Sequence, residues 1–284
     1  MQQHSKKFNV KKMAKIFTVS RAGYYKHINK KPSKRKLSDE VLTQKIAAIY
    51  HKNRRVYGSP RIHAELKKQN ESCSRKKVAL LMKINNLQAT IHKRWKRDKN
   101  TQPAEVNFPN HLNRDFFAEK ENVVWVSDIT QIKTNIGWLY VAAILDLYSR
   151  KIVGLSMSKF IDTDLVVKAF LQAFCHRTPK PGLIIHSDRG CQYLSNKYKA
   201  LAEQHGVLLS TSSRGSCYDN AAMESFFGTL KTEHVYRHKF NTREEAIISI
   251  FEYVEIFYNR QRIHSTLGYL SPVEFESRDC YVRV

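Results

Sequence analysis

The first third of this chain is short of acid. Residues 1–108 hold 28 Lys and Arg against 6 Asp and Glu, a net of +22, whereas residues 109–284 hold 21 against 19. Such a block suits a polyanion, nucleic acid above all, because each neutralised phosphate releases counterions. The bland alternative is a solubilising or membrane-surface tail. Against it, the block carries helical periodicity and is not low in complexity. Long apolar runs are missing as well: none approaches the roughly 18 residues of a membrane span. The N-terminus, MQQHSKKFNVKK, has no apolar stretch and does not read as a secretory signal. The five cysteines are odd in number, scattered and without a C-x-x-C pair, which argues against a disulfide framework or a structural zinc site. These absences point to a soluble, cytoplasmic protein with no membrane partner, and the length of 284 residues suggests about two domains.

Residues 11–28, KKMAKIFTVSRAGYYKHI, have the rhythm of two short helices around Thr18-Val19-Ser20, with Ser20 as N-cap of the second. An ordinary helical hairpin would read the same way. Residues 30–37 read as a linker, and a second helical unit is expected from Ser38, with Val41, Ile46 and Ile49 as its buried stripe. Ile62 and Leu66 sit four apart after the turn Tyr57-Gly58-Ser59-Pro60. Val78, Leu81 and Met82 share a face of the next helix, with Arg75, Lys76 and Lys77 near its start and Asn85-Asn86 as a left-handed end. Three basic helices with short turns suit a small winged or three-helix DNA-binding unit.

The texture changes near residue 110. VVWVSDITQI (123–132), WLYVAAILDLYS (138–149) and KIVGLSMS (151–158) predict a three-stranded meander. DTDLVVKAFLQAF (162–174) predicts a helix capped by Asp162. LIIHSD (183–188) and VLLSTS (207–212) predict strands, and 196–206, 220–236 and 242–259 predict helices. The order βββ-α-β-α-β-α implies an α/β core, a mixed five-stranded sheet with flanking helices, preceded by small all-α helix-turn-helix-like modules. The expected divisions are 1–36, a helix-turn-helix-like basic segment; 37–91, a second basic helical module; 92–118, a linker; 119–236, the catalytic core; and 237–284, a C-terminal helix and tail packed on the core.

In such sheets the active site lies beyond the carboxyl ends of central strands. Asp128 lies in the first strand of the core and Asp188 at the end of the fourth. Glu224 lies near the start of the helix after the fifth. If strands one and four are neighbours, the two aspartates converge and the helix can deliver Glu224. Three gathered carboxylates would repel, and one would take up a proton unless a cation joined them. Mg²⁺ or Mn²⁺, two ions together, would answer this and serve an in-line displacement at phosphorus. Lys231, two helical turns after Glu224, and Asn220, four residues before it, share its face. His186 and Arg189 flank Asp188, and the small polar loop 210–221 suits a flap. An aspartate at a strand end also serves as a turn former or ion-pair partner. His186 reads equally as a satisfied buried histidine. Asp146 and Asp219 compete for the acidic site, Asp146 from a position facing the other side and Asp219 as a helix cap.

WVSDITQI around Asp128, HSDRGCQY around Asp188 and GSCYDNAAMESFFGTLKTE around Glu224 resemble the motifs of the OrfB-type transposases of the IS-three group of bacterial insertion sequences. That group lies within the D,D,E integrase-core superfamily. Between Asp188 and Glu224 stand 35 residues, the group's spacing. YNRQRIHSTLGYLSPVEFE (258–276) resembles its C-terminal signature and YGSPRIHAELKK its second N-terminal module, so the resemblance covers nearly the whole chain. Asn86 departs from it, where Gly is expected.

The resemblance implies a ribonuclease-H-like catalytic fold and DNA strand transfer with two divalent metals. It implies Asp128, Asp188 and Glu224 as catalytic and metal-binding residues. It implies that water attacks the element-end phosphodiester and that the freed 3′-hydroxyl then attacks a second one. The expected DNA contacts are Lys231, Arg189, Asn220, Arg61, Arg75, Lys76 and Lys77. Expected partners are the element's terminal repeats, target DNA and further copies of the chain, since two ends must be joined. The product of an upstream reading frame is a further expected partner. The alternatives are a non-catalytic DNA-binding regulator, or partial product, and another metal nuclease such as a junction resolvase.

Overall fold

The computed structural model describes residues 1–31, 33–90, 118–211 and 220–281. Several of its helices start where a short polar side chain accepts an otherwise unpaired backbone N–H, each such cap contributing about 1 kcal/mol. Asn9 caps α1 (Val10–Ile16) and Ser20 caps α2 (Arg21–Ile28), with Gly23 N donating to Ser20 Oγ at 2.9 Å. Ser33 caps α3 (Lys34–Lys52), so that helix begins inside the stretch read as a linker. Its buried stripe is Leu42, Ile46, Ile49 and Tyr50, whereas Val41 faces solvent. The spacing explains this, because 42, 46, 49 and 50 follow the helical period and 41 falls off the stripe. α4 (Ser59–Lys68) buries Ile62 and Leu66; α5 (Arg75–Ile84) buries Val78, Leu81 and Met82. Asn86, after α5, takes a left-handed φ of 54°. Among the described residues of 33–90 the unit is helical and carries no wing strand. The expected linker 92–118 lies outside the described residues except for Ala118.

Five strands follow: β1 (Val124–Thr134), β2 (Gly137–Asp146), β3 (Ile152–Ser158), β4 (Ile184–Ser187) and β5 (Leu208–Thr211). Their order across the sheet is β3-β2-β1-β4-β5. The meander pairs are antiparallel; β1 with β4, and β4 with β5, are parallel. The crossovers are α6 (Thr163–His176), capped by Asp162, and α7 (Asn196–Gln204), closed by Gly206 at φ +65°. α6 packs so closely that a Cβ on Gly154 of β3 would collide with the carbonyl of Ala169.

Alternation along the strands splits the interior into two cores. On one face Trp125, Ala142, Ile144 and Ile185 meet α6 and α7. On the other, Val124, Val126, Val141 and Ala143 meet α8 (Ala221–Glu233) and α9 (Arg243–Glu252). This second core continues into α3, α4 and α5. Tyr57 seals the junction: its hydroxyl accepts from Ile263 N at 2.9 Å and donates to Gln261 O at 3.2 Å.

The C-terminal part departs from the expected single helix over 242–259. α9 gives way to a π-helical turn, Tyr253–Tyr258, in which Asn259 N donates to Val254 O. The wider turn lets Tyr253, Val254, Phe257 and Tyr258 all bury. Asn259 then binds Ile152 through both its amide oxygen (2.9 Å) and its amide nitrogen (3.0 Å), fastening this segment to β3. α10 (Pro272–Tyr281) was not anticipated. Its sequence signal is a capping box: Ser271 N donates to Glu274 Oε2 at 2.8 Å and Glu274 N to Ser271 Oγ at 3.3 Å.

Candidate active site

β1 and β4 pair in parallel with Val124 beside Ile184 and Val126 beside His186. Two residues further on, the same register sets Asp128 beside Asp188, where β4 has just ended. Neighbouring strands lie about 4.8 Å apart, so the two carboxylates share one level. Both sit on the face that receives α8, in phase with Val124 and Val126. Below them is Tyr193, fully buried, with its hydroxyl 2.8 Å from Ser127 Oγ. Its phenol is held well above the usual range by burial, and then by the charges of Asp128 and, more weakly, Asp188. One phenol thus feels both carboxylates. Sequence reasoning missed Tyr193; the only signal was its place in HSDRGCQY.

The loop after β4 is shaped by Asp188 itself. Gly190 N donates to Asp188 Oδ1 at 3.0 Å, and Tyr193 N donates to Gly190 O at 3.0 Å. A side chain on Gly190 would press against Asp188 Oδ1 and Gln192 Oε1. Asp188 is exposed, yet packed strand ends crowd around it. That desolvation raises its carboxyl above the ordinary range, and the Gly190 hydrogen bond offsets part of the rise.

α8 supplies the third carboxylate. Glu224 stands in its first turn, half-buried. Asn220, buried at the helix start, donates from Nδ2 to Ser127 O at 3.0 Å, which pins α8 to β1 one residue before Asp128. Lys231 lies two turns along. Burial lowers its ammonium pKa and the charge of Asp128 draws it back up, so the lysine feels the aspartate.

The remaining candidates fall elsewhere. Asp146 pairs with Trp125 across the sheet and is buried on the opposite face. Its oxygens accept from Asn122 N (2.8 Å) and Tyr148 N (2.9 Å), and burial pushes its carboxyl up to about 7. Asp219 and most of the loop 210–221 lie outside the described residues. His186 is fully buried, with Nδ1 2.9 Å from Ser210 Oγ. Arg189 is half-buried beside Asp188. Arg75 and Lys76 are exposed in the first turn of α5, while Lys77 pairs with Asp39. Cations there oppose the helix dipole, so α5 gains nothing from them. Arg61 turns toward the core, 3.6 Å from Glu233 and stacked on Tyr57.

The donors at the strand ends are oxygen only, the chemistry a hard divalent cation selects. Asp128 and Asp188 fit such an ion by their common level, and Asp188 also by the desolvation that a cation would relieve. Glu224 faces the same side from α8. Among the described residues, however, no three His, Cys, Asp or Glu are gathered tightly enough to hold a metal.

Residues 118–217 and 224–279 each match a family model described as an integrase core domain, and residues 36–95 match one described as an HTH-like domain. An uncharacterized 31 kDa protein of insertion element IS600 from Shigella sonnei is 42% identical over 94% of this chain and 98% of its own length. A transposase for insertion sequence element IS904 from Lactococcus lactis is 41% identical over 88% of this chain and 98% of its own. Transposase InsF for insertion sequence IS3A from Escherichia coli is 34% identical over 98% of both chains.

Proposed function

The chain belongs to the insertion-sequence transposases with an integrase core, and from that premise we propose how its residues cut and join DNA. Membership carries DNA transposition and integration by polynucleotidyl transfer, on a ribonuclease-H-like core behind an HTH-like module. The register of Asp128 with Asp188, on the face that receives Glu224, supports the finer reading best.

Asp128, Asp188 and Glu224 would be the residues to hold Mg²⁺ or Mn²⁺, two ions, and such ions would supply positive charge where negative charge develops. The protein's own groups do the rest. Tyr193 braces the floor under both aspartates, and Asn220 fixes α8 against β1, so that Glu224 approaches from one direction. Lys231, beside Asp128, holds a phosphate of the DNA strand, and Arg189 holds another. Arg75 and Lys76 contact the duplex backbone. Water attacks the element-end phosphodiester and the 3′-oxygen departs. That 3′-hydroxyl next attacks a target phosphodiester in line. Two protomers act on two element ends, with the upstream-frame product as a further partner.

The test is divalent-metal-dependent cleavage and joining of labelled element-end DNA by this chain and by its Glu224→Gln variant. Loss in the variant alone is expected. Cleavage retained by Glu224→Gln would remove Glu224 from the site. Binding without cleavage by either protein would favour a DNA-binding regulator, or a part that needs the upstream-frame product.

A further inference from the structure

A second feature of α8 lies about a third of a turn from Glu224. A cavity of about 380 Å³ opens along its Ser225 and Thr229 side, walled by Arg61 of α4, Arg150 of the β2–β3 turn, and Arg262 and His264 of the C-terminal signature. No acidic side chain lines it among the described residues.

The charge around it does not balance. Glu233, outside the lining, is already engaged: Arg262 donates to it through Nε (2.8 Å) and Nη2 (2.7 Å), and Tyr253 through its hydroxyl (3.0 Å). Arg61 reaches the same carboxylate only at 3.6 Å. Asp146, whose charge Arg150 feels, is satisfied by two backbone N–H groups on the far face of the sheet. Three guanidiniums, none able to deprotonate, therefore share the wall of one cavity that no carboxylate lines among the described residues. His264 feels the same charges: burial, then Arg262, Arg61 and Arg150, keep its imidazole well below its usual pKa. Burying like charges together is costly unless an anion joins them.

We propose that this cavity binds a phosphate of the DNA backbone, held by Arg61, Arg150 and Arg262 with the hydroxyls of Ser225 and Thr229. Planar guanidinium forks and hydroxyls match phosphate oxygens. DNA is the favoured source because the cavity lies where α4, from the basic third of the chain, meets the helix that carries Glu224. The inference thus rests on the DNA-transferase reading above. It also gives the C-terminal signature a purpose. Asn259 fastens the segment to β3, and Arg262 and His264 wall an anion site apart from the carboxylates.

Arg150→Gln tests it, since this leaves the buried Arg262–Glu233 pair whole; Arg150→Lys is the charge-keeping companion. Two readouts on the full chain need no cleavage. The first is the rise in Tm caused by pyrophosphate against sodium chloride of equal ionic strength. The second is the slope of log affinity against log salt for an element-end duplex. Wild type should gain several degrees with pyrophosphate and Arg150→Gln almost none. The DNA slope should become shallower by about 0.9, with Arg150→Lys near wild type. Equal responses in wild type and Arg150→Gln would overturn the site. A lost pyrophosphate response with an unchanged DNA slope would overturn DNA as the source and leave a small phosphate ligand. A shallower slope with an intact pyrophosphate response would put the Arg150 contact outside the cavity. Failure of the transferase reading looks different: cleavage would be absent, or would survive Glu224→Gln, whatever Arg150 does.

Discussion

Continued two residues past Val126–His186, the parallel register of β1 with β4 sets Asp128 level with Asp188, just beyond the end of β4, although 59 residues separate them in the chain. The pairing of β1 with β4 thereby brings together two sequence-distant acids, and the phenol of Tyr193, in the core on the other face of the sheet, feels both charges. Strand ends have fixed positions and few degrees of freedom, so a site built on them is held without a dedicated scaffold.

Asp188→Asn should abolish cleavage and joining while DNA affinity changes by less than about twofold. The same variant should melt at a slightly higher temperature at pH 7. Its carboxyl pKa is raised in the folded state, so the ionised form costs stability there, and the amide removes that cost while its oxygen still accepts from Gly190 N. A drop in Tm would mark Asp188 as a turn former only.

Tyr193→Phe removes the hydroxyl that meets Ser127 Oγ at 2.8 Å. Ser127 keeps its bond to Ala143 O, so the loss in stability should be about 1 kcal/mol. Strand-transfer rate should fall about tenfold through loss of positioning, with DNA binding unchanged. Full activity in Tyr193→Phe would assign the tyrosine to the core alone.

Asp146 gives a pH signature. Its folded pKa of about 7 lies above the unfolded value near 3.8, so between these the folded state holds more proton than the unfolded chain. Stability should therefore fall as pH rises from about 4 to 7, by up to about 1.4 kcal/mol per pH unit, and level off above. Asp146→Asn should flatten that slope in urea titrations at successive pH values; a slope unchanged by the substitution would sink the assignment.

Glu233→Gln should be strongly destabilising, about 3–5 kcal/mol, because it strands the buried Arg262 guanidinium. Desolvation opposes ionisation of Glu233, but Arg262 and Arg61 outweigh it and hold the carboxyl below its ordinary range. This contribution is present above pH 4.5 and lost on acidification through the depressed value. Chemical denaturation of wild type and variant at pH 7 and pH 3 should show the gap narrowing.

The linear sequence by itself determined much of this protein. Period-two and period-3.6 patterns are local, so they located β1 to β5, α4 to α8 and the caps Ser20 and Asp162. The acids of the candidate site were legible because their motifs and their 35-residue spacing are written along the chain. Other features were decided only by the tertiary structure. The widened turn Tyr253–Tyr258 forms because four large side chains bury together. Tyr193 comes to lie beneath two aspartates, and Arg61, Arg150 and Arg262 around one cavity, through strand pairing and helix docking. Those contacts join residues far apart in sequence, and no local period encodes them.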